Sequence, residues 1–326
     1  MKQFLISVFA LLVTSLVLAQ PTQIPDSSLY TMIRGTFVIE GYKPDGDSMR
    51  FIADDIKDWD LLENAKSINQ EYLDTSQNQK ETNPDQKNSV QLRFEGIDTP
   101  EFGDGIERQP LGKEARDFSL QFLGYQQIEF TPQGKQVRRA NPNRTQGVLL
   151  SRSAPSGTQG RPVVYVFKES DWVFSQAKQT IIIPVWLEKS LNYALMKKGL
   201  AFPEYYLSLP ASHREVFKQA VTQARKDKLG IHLVDQSANF TAENFVQLTE
   251  QGELIFPKLY RRLKSYFAAR DDKKTSLSFF DFLRQGKVEN DQLIYAGKRF
   301  KLTDFLVQKD NEFWFKADLN EIVFEQ

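Results

Sequence analysis

Four short stretches of the chain carry residue types that handle a cation or a phosphate. Asp45-Gly46-Asp47-Ser48 sets two carboxylates in a segment of Pro, Asp and Gly, a composition that serves equally well as a plain turn. Arg93-Phe94-Glu95-Gly96-Ile97-Asp98-Thr99-Pro100-Glu101 delivers an arginine on a β-pattern. At its end a Pro-containing turn presents Asp98, Glu101 and the carbonyl of Thr99. Carboxylate and carbonyl oxygens are what a hard cation such as calcium takes, the other reading being a solvated strand end. Gly160-Arg161-Pro162-Val163-Val164 places an arginine just before an apolar strand, as a surface residue or as part of a site. Asn192-Tyr193-Ala194-Leu195, followed by Lys198-Gly199-Leu200-Ala201, reads as a packed helix with a glycine cap.

The composition narrows the chemistry. The chain has 326 residues, 40% of them hydrophobic, enough for one large domain or two smaller ones. It has no cysteine, which removes disulfides, thiolate zinc sites and cysteine nucleophiles. Its two histidines, His213 and His232, leave little for a multi-histidine metal site. Formal net charge is zero, so any attraction for nucleic acid lies in local segments.

The elements that must hold these residues follow from the apolar pattern. Lys2 and the apolar run Phe4 to Ala19 have the size of a signal-peptide core, with cleavage expected before Gln20. The alternative is an uncleaved membrane anchor. Cleavage implies an exported protein, with no membrane contact afterwards. Residues 20–32 read as a linker. Thr36 to Ile39 and Met49 to Ile52 form the two arms of a predicted hairpin, with the Asp45–Asp47 turn between them. Residues 54–89 read as an acidic surface insertion, helical around Trp59 to Asn69. Val90 to Ile97 is a predicted strand, Pro110 to Leu123 a helix and Ile128 to Phe130 a strand. Residues 131–160 read as a long loop holding the apolar run Val148 to Leu150. Pro162 to Phe167 is a strand, and Ser190 to Gly199 and Ser212 to Lys228 are helices. A boundary is placed near Asp235 to Ala238. Beyond it Phe240 to Phe267 suggests two amphipathic helices, Phe279 to Gly286 a third, and Leu293 to Ile322 short strands and turns.

In this order and spacing, the four stretches resemble the staphylococcal nuclease family. Gln109-Pro110-Leu111-Gly112-Lys113-Glu114-Ala115 and the helix ending Lys228-Leu229-Gly230-Ile231 add to the resemblance, which runs from about Arg34 to Leu233. It implies an α+β fold: a five-stranded OB-fold barrel with helices packed on it over residues 33–234, and a smaller C-terminal α+β region at 235–326. It implies a calcium-dependent nuclease that hydrolyses DNA or RNA with low base specificity, and a monomer is expected. Asp47, Asp98 and the Thr99 carbonyl would ligate calcium, with Asp45 beside them. Glu101 would orient the attacking water, and Arg93 and Arg161 would grip the scissile phosphate. Tyr205 matches a substrate-stacking tyrosine, while the second such position falls on Leu207 with Tyr206 adjacent. The lysine-tyrosine pair that precedes the second arginine in the family is Thr158-Gln159 here. A non-catalytic binding module on the same fold is the rival reading, opposed by the presence of every acid and both arginines.

Charge is uneven along the chain. Thr131 to Lys168 holds seven basic residues and no acid, which suits either a groove tracking a phosphate backbone or a solvated loop. Lys258 to Lys301 holds twelve bases against five acids, with aromatics between. Those bases add either a nucleic-acid surface or nothing. All the proposed catalytic residues precede Gly199, so residues 33–233 are expected to suffice for catalysis.

Overall fold

The structure is a computed structural model that describes residues 25–65, 88–103, 107–132, 134–154 and 160–325. The signal-peptide reading of residues 1–19, the middle of the acidic insertion and Thr158-Gln159 lie outside the described residues.

A long first strand organises the barrel. β1 (Leu29–Val38) is nearly all buried, as its run of Tyr30, Ile33, Phe37 and Val38 requires. It pairs antiparallel with β2 (Arg50–Ala53) in the register Thr36 to Ile52 and Phe37 to Phe51, which is the predicted hairpin. The segment read as one strand from Val90 is instead three pieces, β3 (Val90–Gln91), β4 (Arg93–Phe94) and β5 (Ile97–Asp98). Each takes a different partner. β3 pairs with β2, β4 runs parallel to β9 (Val163–Lys168), and β5 pairs with β11 (Phe202–Pro203).

That division closes the barrel. The sheet order is β3, β2, β1, β8 (Arg144–Ser151), β9, β4, and its first and last members are neighbours on one segment of chain. Five strand segments thus form a nearly closed barrel with helices against it, an OB-type α+β fold. A further strand, β10 (Gln179–Ile181), extends the sheet along the start of β1.

The reading of residues 131–160 as a loop is corrected. β6 (Gln127–Phe130) and β7 (Val137–Asn141) form a hairpin, and β8 (Arg144–Ser151) is the central barrel strand between β1 and β9. The polar start of β8, Arg144-Thr145-Gln146, hides it from a local pattern. Eight residues paired to β1 hold it in place, and Val148, Leu149 and Leu150 are fully buried.

Four helices matter for the site: α1 (Gly112–Phe122), α2 (Leu191–Lys197), α3 (Ala211–Lys226) and α4 (Pro257–Asp271). Ser190 caps α2 by accepting from the Tyr193 amide, and Gly199 closes that segment at φ +65°, a conformation that suits only glycine well. Buried Asn192 donates to the carbonyls of Glu95 (2.9 Å) and Val164 (3.0 Å) and accepts from the Val166 amide (3.0 Å). The helix is thereby fastened to the two strands that flank the site.

Two apolar clusters form the interior. The first fills the barrel and its helices, with Phe37, Phe51, Phe94, Tyr165 and Phe217 among its members. The second is built mainly from residues 240–324, but it includes Phe202 and Ile231. β12 (Tyr205–Tyr206) runs parallel to Val323–Phe324 in a small sheet of the C-terminal region. Two helices were expected between Phe240 and Phe267. The structure has a short strand, a 3₁₀ turn and only α4. Pro257 explains where α4 begins, since proline suits the first helical turn and disfavours helix in the residue before it. Among the described residues no helix is long and apolar enough to cross a membrane.

Candidate active site

The turn between β1 and β2 carries Asp45 and Asp47. Ser119 of α1 donates to the Gly46 carbonyl at 2.7 Å and pins the turn. Gly46 lies so close to Thr99 that a Cβ there would meet its hydroxyl at 2.6 Å, so only glycine lets the two segments touch. The Phe94 amide donates to the Asp47 carbonyl (3.0 Å), and the Thr99 amide to Asp47 Oδ2 (3.3 Å). Buried Gln109 fixes the next piece. Its Oε1 accepts from the Glu101 amide at 3.1 Å, and its Nε2 donates to the Ile255 carbonyl at 2.7 Å.

These contacts bring the sequence-predicted residues to one cavity of about 360 Å³. Asp45, Asp47, Arg93, Asp98, Thr99, Glu101 and Arg161 all line it. Arg152, the other basic residue near the start of β9, does not; it bonds to Glu63 at 3.0 Å. Arg93 donates to Asp47 Oδ2 (3.1 Å), Asp98 Oδ1 (3.2 Å) and Glu204 Oε2 (2.5 Å). Burial and the neighbouring carboxylates Asp47 and Glu101 push the Asp45 carboxyl above its ordinary range. Asp47 is also raised by burial, against the pull of Arg93. The neighbouring carboxylates hold the Arg93 guanidinium firmly protonated despite its burial.

The tyrosines depart from expectation. Tyr205 is fully buried and donates to Asn320 Oδ1 at 3.1 Å, so its ring offers no face to a substrate. A core position wins over stacking because β12 is the edge strand of the C-terminal sheet and the Tyr205 ring packs into the barrel's apolar cluster. Tyr206 does line the cavity, with its hydroxyl accepting from Lys258 at 3.0 Å.

Sequence reasoning missed five charged residues that line this cavity, Glu204, Lys258, Arg261, Arg262 and Glu289. Glu204 is 3% exposed and meets Arg93 on one side and Lys258 (3.1 Å) on the other. Arg261 of α4 reaches from beyond the expected boundary. Its Nη1 donates to Asp98 Oδ1 (3.0 Å) and Glu101 Oε1 (2.5 Å), and its Nη2 to Asp98 Oδ2 (2.8 Å). The expectation was that catalysis needs nothing after Val234, yet Lys258, Arg261 and Arg262 line the same cavity. A signal was present, since Lys258, Arg261 and Arg262 sit three and four apart, on one face of a helix.

Residues 91–232 match the family described as staphylococcal nuclease homologues. This segment is a nuclease-homologue domain. No curated protein matches the chain. The matched stretch begins after β1, β2 and the Asp45–Asp47 turn, yet these belong to the same barrel and cavity as the nuclease-homologue residues.

The donors suit a hard cation in type, since Asp47 and Asp98 present buried carboxylate oxygens to the cavity and Thr99 lies beside them. Among the described residues, however, no group of three or more Asp, Glu or His side chains is disposed to hold a metal ion. At Asp98 both carboxylate oxygens are held by guanidinium groups.

Proposed function

We propose that this protein is an exported, calcium-dependent nuclease that hydrolyses phosphodiester bonds of DNA or RNA, with cleavage in the barrel cavity. The observation that carries this reading is the convergence of Arg93, Arg161, Asp47, Asp98, Thr99 and Glu101, spread over more than a hundred residues, on one cavity of nucleotide size. Asp47, Asp98 and Thr99 would hold the calcium ion, which supplies fixed positive charge for the phosphate oxygens.

The chain's own residues do the rest. Arg93 and Arg161 face negative charge that grows on the phosphate oxygens in the transition state. Planar, permanently charged guanidinium groups suit that role better than lysine. Arg93 is pre-positioned by its carboxylate partners, so little reorganisation is needed when a phosphate arrives. Glu101 orients a water for in-line attack on phosphorus. As the new P–O bond forms, the water gives up a proton to solvent, the ester P–O bond breaks, and the departing oxygen takes a proton from solvent. The half-buried Tyr206 stands at the cavity wall, where it can touch a sugar or base.

The test is a cleavage assay of the purified chain on single-stranded and duplex DNA and on RNA, with calcium and then with chelator. Cleavage that needs calcium supports the reading. Equal cleavage in excess chelator removes the calcium assignment. Binding without cleavage makes the barrel a non-catalytic nucleic-acid module.

A further inference from the structure

We propose that Arg261, supplied by the C-terminal helix α4, is a phosphate-binding residue of the cleavage site that changes partners. It neutralises Asp98 and Glu101 when no divalent cation is bound, and pairs with the substrate phosphate when one is. This rests on the nuclease reading above.

The first support is charge. Within the cavity, residues before Val234 contribute five carboxylates, Asp45, Asp47, Asp98, Glu101 and Glu204, against two arginines, Arg93 and Arg161. With all five ionised, as cation binding favours, one divalent cation leaves that set one negative charge in excess, and a phosphodiester brings another. α4 adds Lys258, Arg261 and Arg262 to the same cavity, and Glu289 beyond it returns one negative charge, for a net gain of two positive charges. Phosphate entry therefore depends on cations that the nuclease-homologue segment does not itself carry.

The second is delivery. Lys258 is buried and ion-paired to Glu204 (3.1 Å) and Asp291 (3.3 Å), while Gln109 ties the Glu101 backbone to Ile255, just before α4. These contacts fix the helix start. Arg261, one turn on, is aimed at Asp98 from a held scaffold, and its own side chain is still 32% exposed. It has freedom to turn that Lys258 lacks.

The third is exclusion. Arg261 meets Asp98 fork to fork, taking both oxygens, and reaches Glu101 as well. A cation bound by Asp98 needs an oxygen that Arg261 now occupies. On release, the guanidinium stays in the cavity that must also hold the phosphate, near Arg93 and Arg161.

The experiment compares the full chain with Arg261→Gln and Arg261→Lys, with Lys264→Gln as a control for net helix charge. Lys264 pairs with Glu107 and does not line the cavity. Calorimetry with calcium chloride alone reads the competition. KM for single-stranded DNA at saturating calcium reads the phosphate contact. Arg261→Gln should bind calcium roughly tenfold more tightly, the scale of one charge-assisted hydrogen bond, while KM rises by roughly the same factor. Arg261→Lys should fall between, and Lys264→Gln should match wild type in both. Opposite signs in the two readouts cannot come from a damaged fold, which weakens both. Unchanged or weaker calcium binding in Arg261→Gln overturns the competition, and an unchanged KM overturns the phosphate contact. If the wild type binds calcium but cleaves nothing, the nuclease reading fails by itself. Calcium binding and the Kd for a labelled oligonucleotide then decide Arg261 instead. If neither protein binds calcium, the proposal falls with the metal assignment.

Discussion

Arg93 and Glu204 meet at 2.5 Å, with the side chains 17% and 4% exposed. Glu204 also faces Lys258 at 3.1 Å, and these cations hold its carboxyl well below the usual range despite burial. One carboxylate thus joins the barrel arginine to the C-terminal helix. Breaking such a buried pair strands a charge in low dielectric, whereas replacing both partners does not. Glu204→Gln should therefore cost about 3 kcal/mol in urea unfolding, the lower end of the range for a broken buried pair. Lys258 keeps Asp291 and Tyr206 as partners, which is why the lower end applies. Glu204→Gln combined with Lys258→Met should lose less than the two single changes summed. Strict additivity would mean that the pair is not coupled.

Arg161 lines the cavity while Arg152 is spent on Glu63, so the two arginines near β9 should behave differently. Arg161→Ala should lower turnover by roughly three to five orders of magnitude, as for arginines that meet transition-state charge at a phosphoryl group. Arg161→Lys should recover little of it, because the planar fork is lost. Arg152→Ala should stay near wild type. A dead Arg152→Ala beside an active Arg161→Ala would reverse the assignment.

Much of this site was legible because phosphate chemistry uses few residue types and keeps them near strand ends. Arg93, Asp98 and Glu101 lie within nine residues, and the hairpin that carries Asp47 shows in the β-forming residues of its arms on either side of a Pro, Asp and Gly turn. What escaped was set by long-range pairing. β8 has a polar half that only its register with β1 makes into a strand. Tyr205 looks like a binding residue until the C-terminal sheet covers it. Arg261 lies 160 residues from Glu101, and spacing along the chain says nothing about such a contact. Its neighbours Lys258 and Arg262 gave a face, but not what that face meets.

His232 offers a pH test away from the cavity. Burial, and then the nearby Arg225, lower its pKa from 6.5 to about 4. The folded state thus disfavours the charged ring, while the unfolded chain accepts a proton at the ordinary value. The penalty on folding is absent above pH 6.5, grows as pH falls, and is complete below about pH 4. His232→Gln cannot take up that proton. Its melting temperature relative to wild type should therefore rise between neutral pH and pH 4. A difference that stays flat across this window would show that the ring titrates normally in the folded protein.

Truncation after Val234 tests how far the barrel stands alone. The sequence suggested that residues 33–233 hold a sufficient core. The structure divides the interior differently, since Phe202 and Ile231 are almost wholly buried against residues of the C-terminal region. Uncovering two such side chains costs about 3–6 kcal/mol in lost apolar burial. The buried Tyr205 hydroxyl also loses Asn320, and Arg225 loses its paired contact with Asp318 at 2.9 and 3.0 Å. An unpartnered buried hydroxyl adds about 1–3 kcal/mol, although water reaching the cut surface will offset part of it. A whole domain is stable by only about 5–15 kcal/mol, so the truncated chain should unfold at a clearly lower urea concentration. Any folded fraction should show a weaker salt dependence of KM, because the cations of α4 have gone. Urea midpoints for both chains, with KM at two salt concentrations, make the comparison. A truncated chain with the same midpoint and the same salt slope as the full chain would show that the barrel needs nothing from α4, for folding or for substrate.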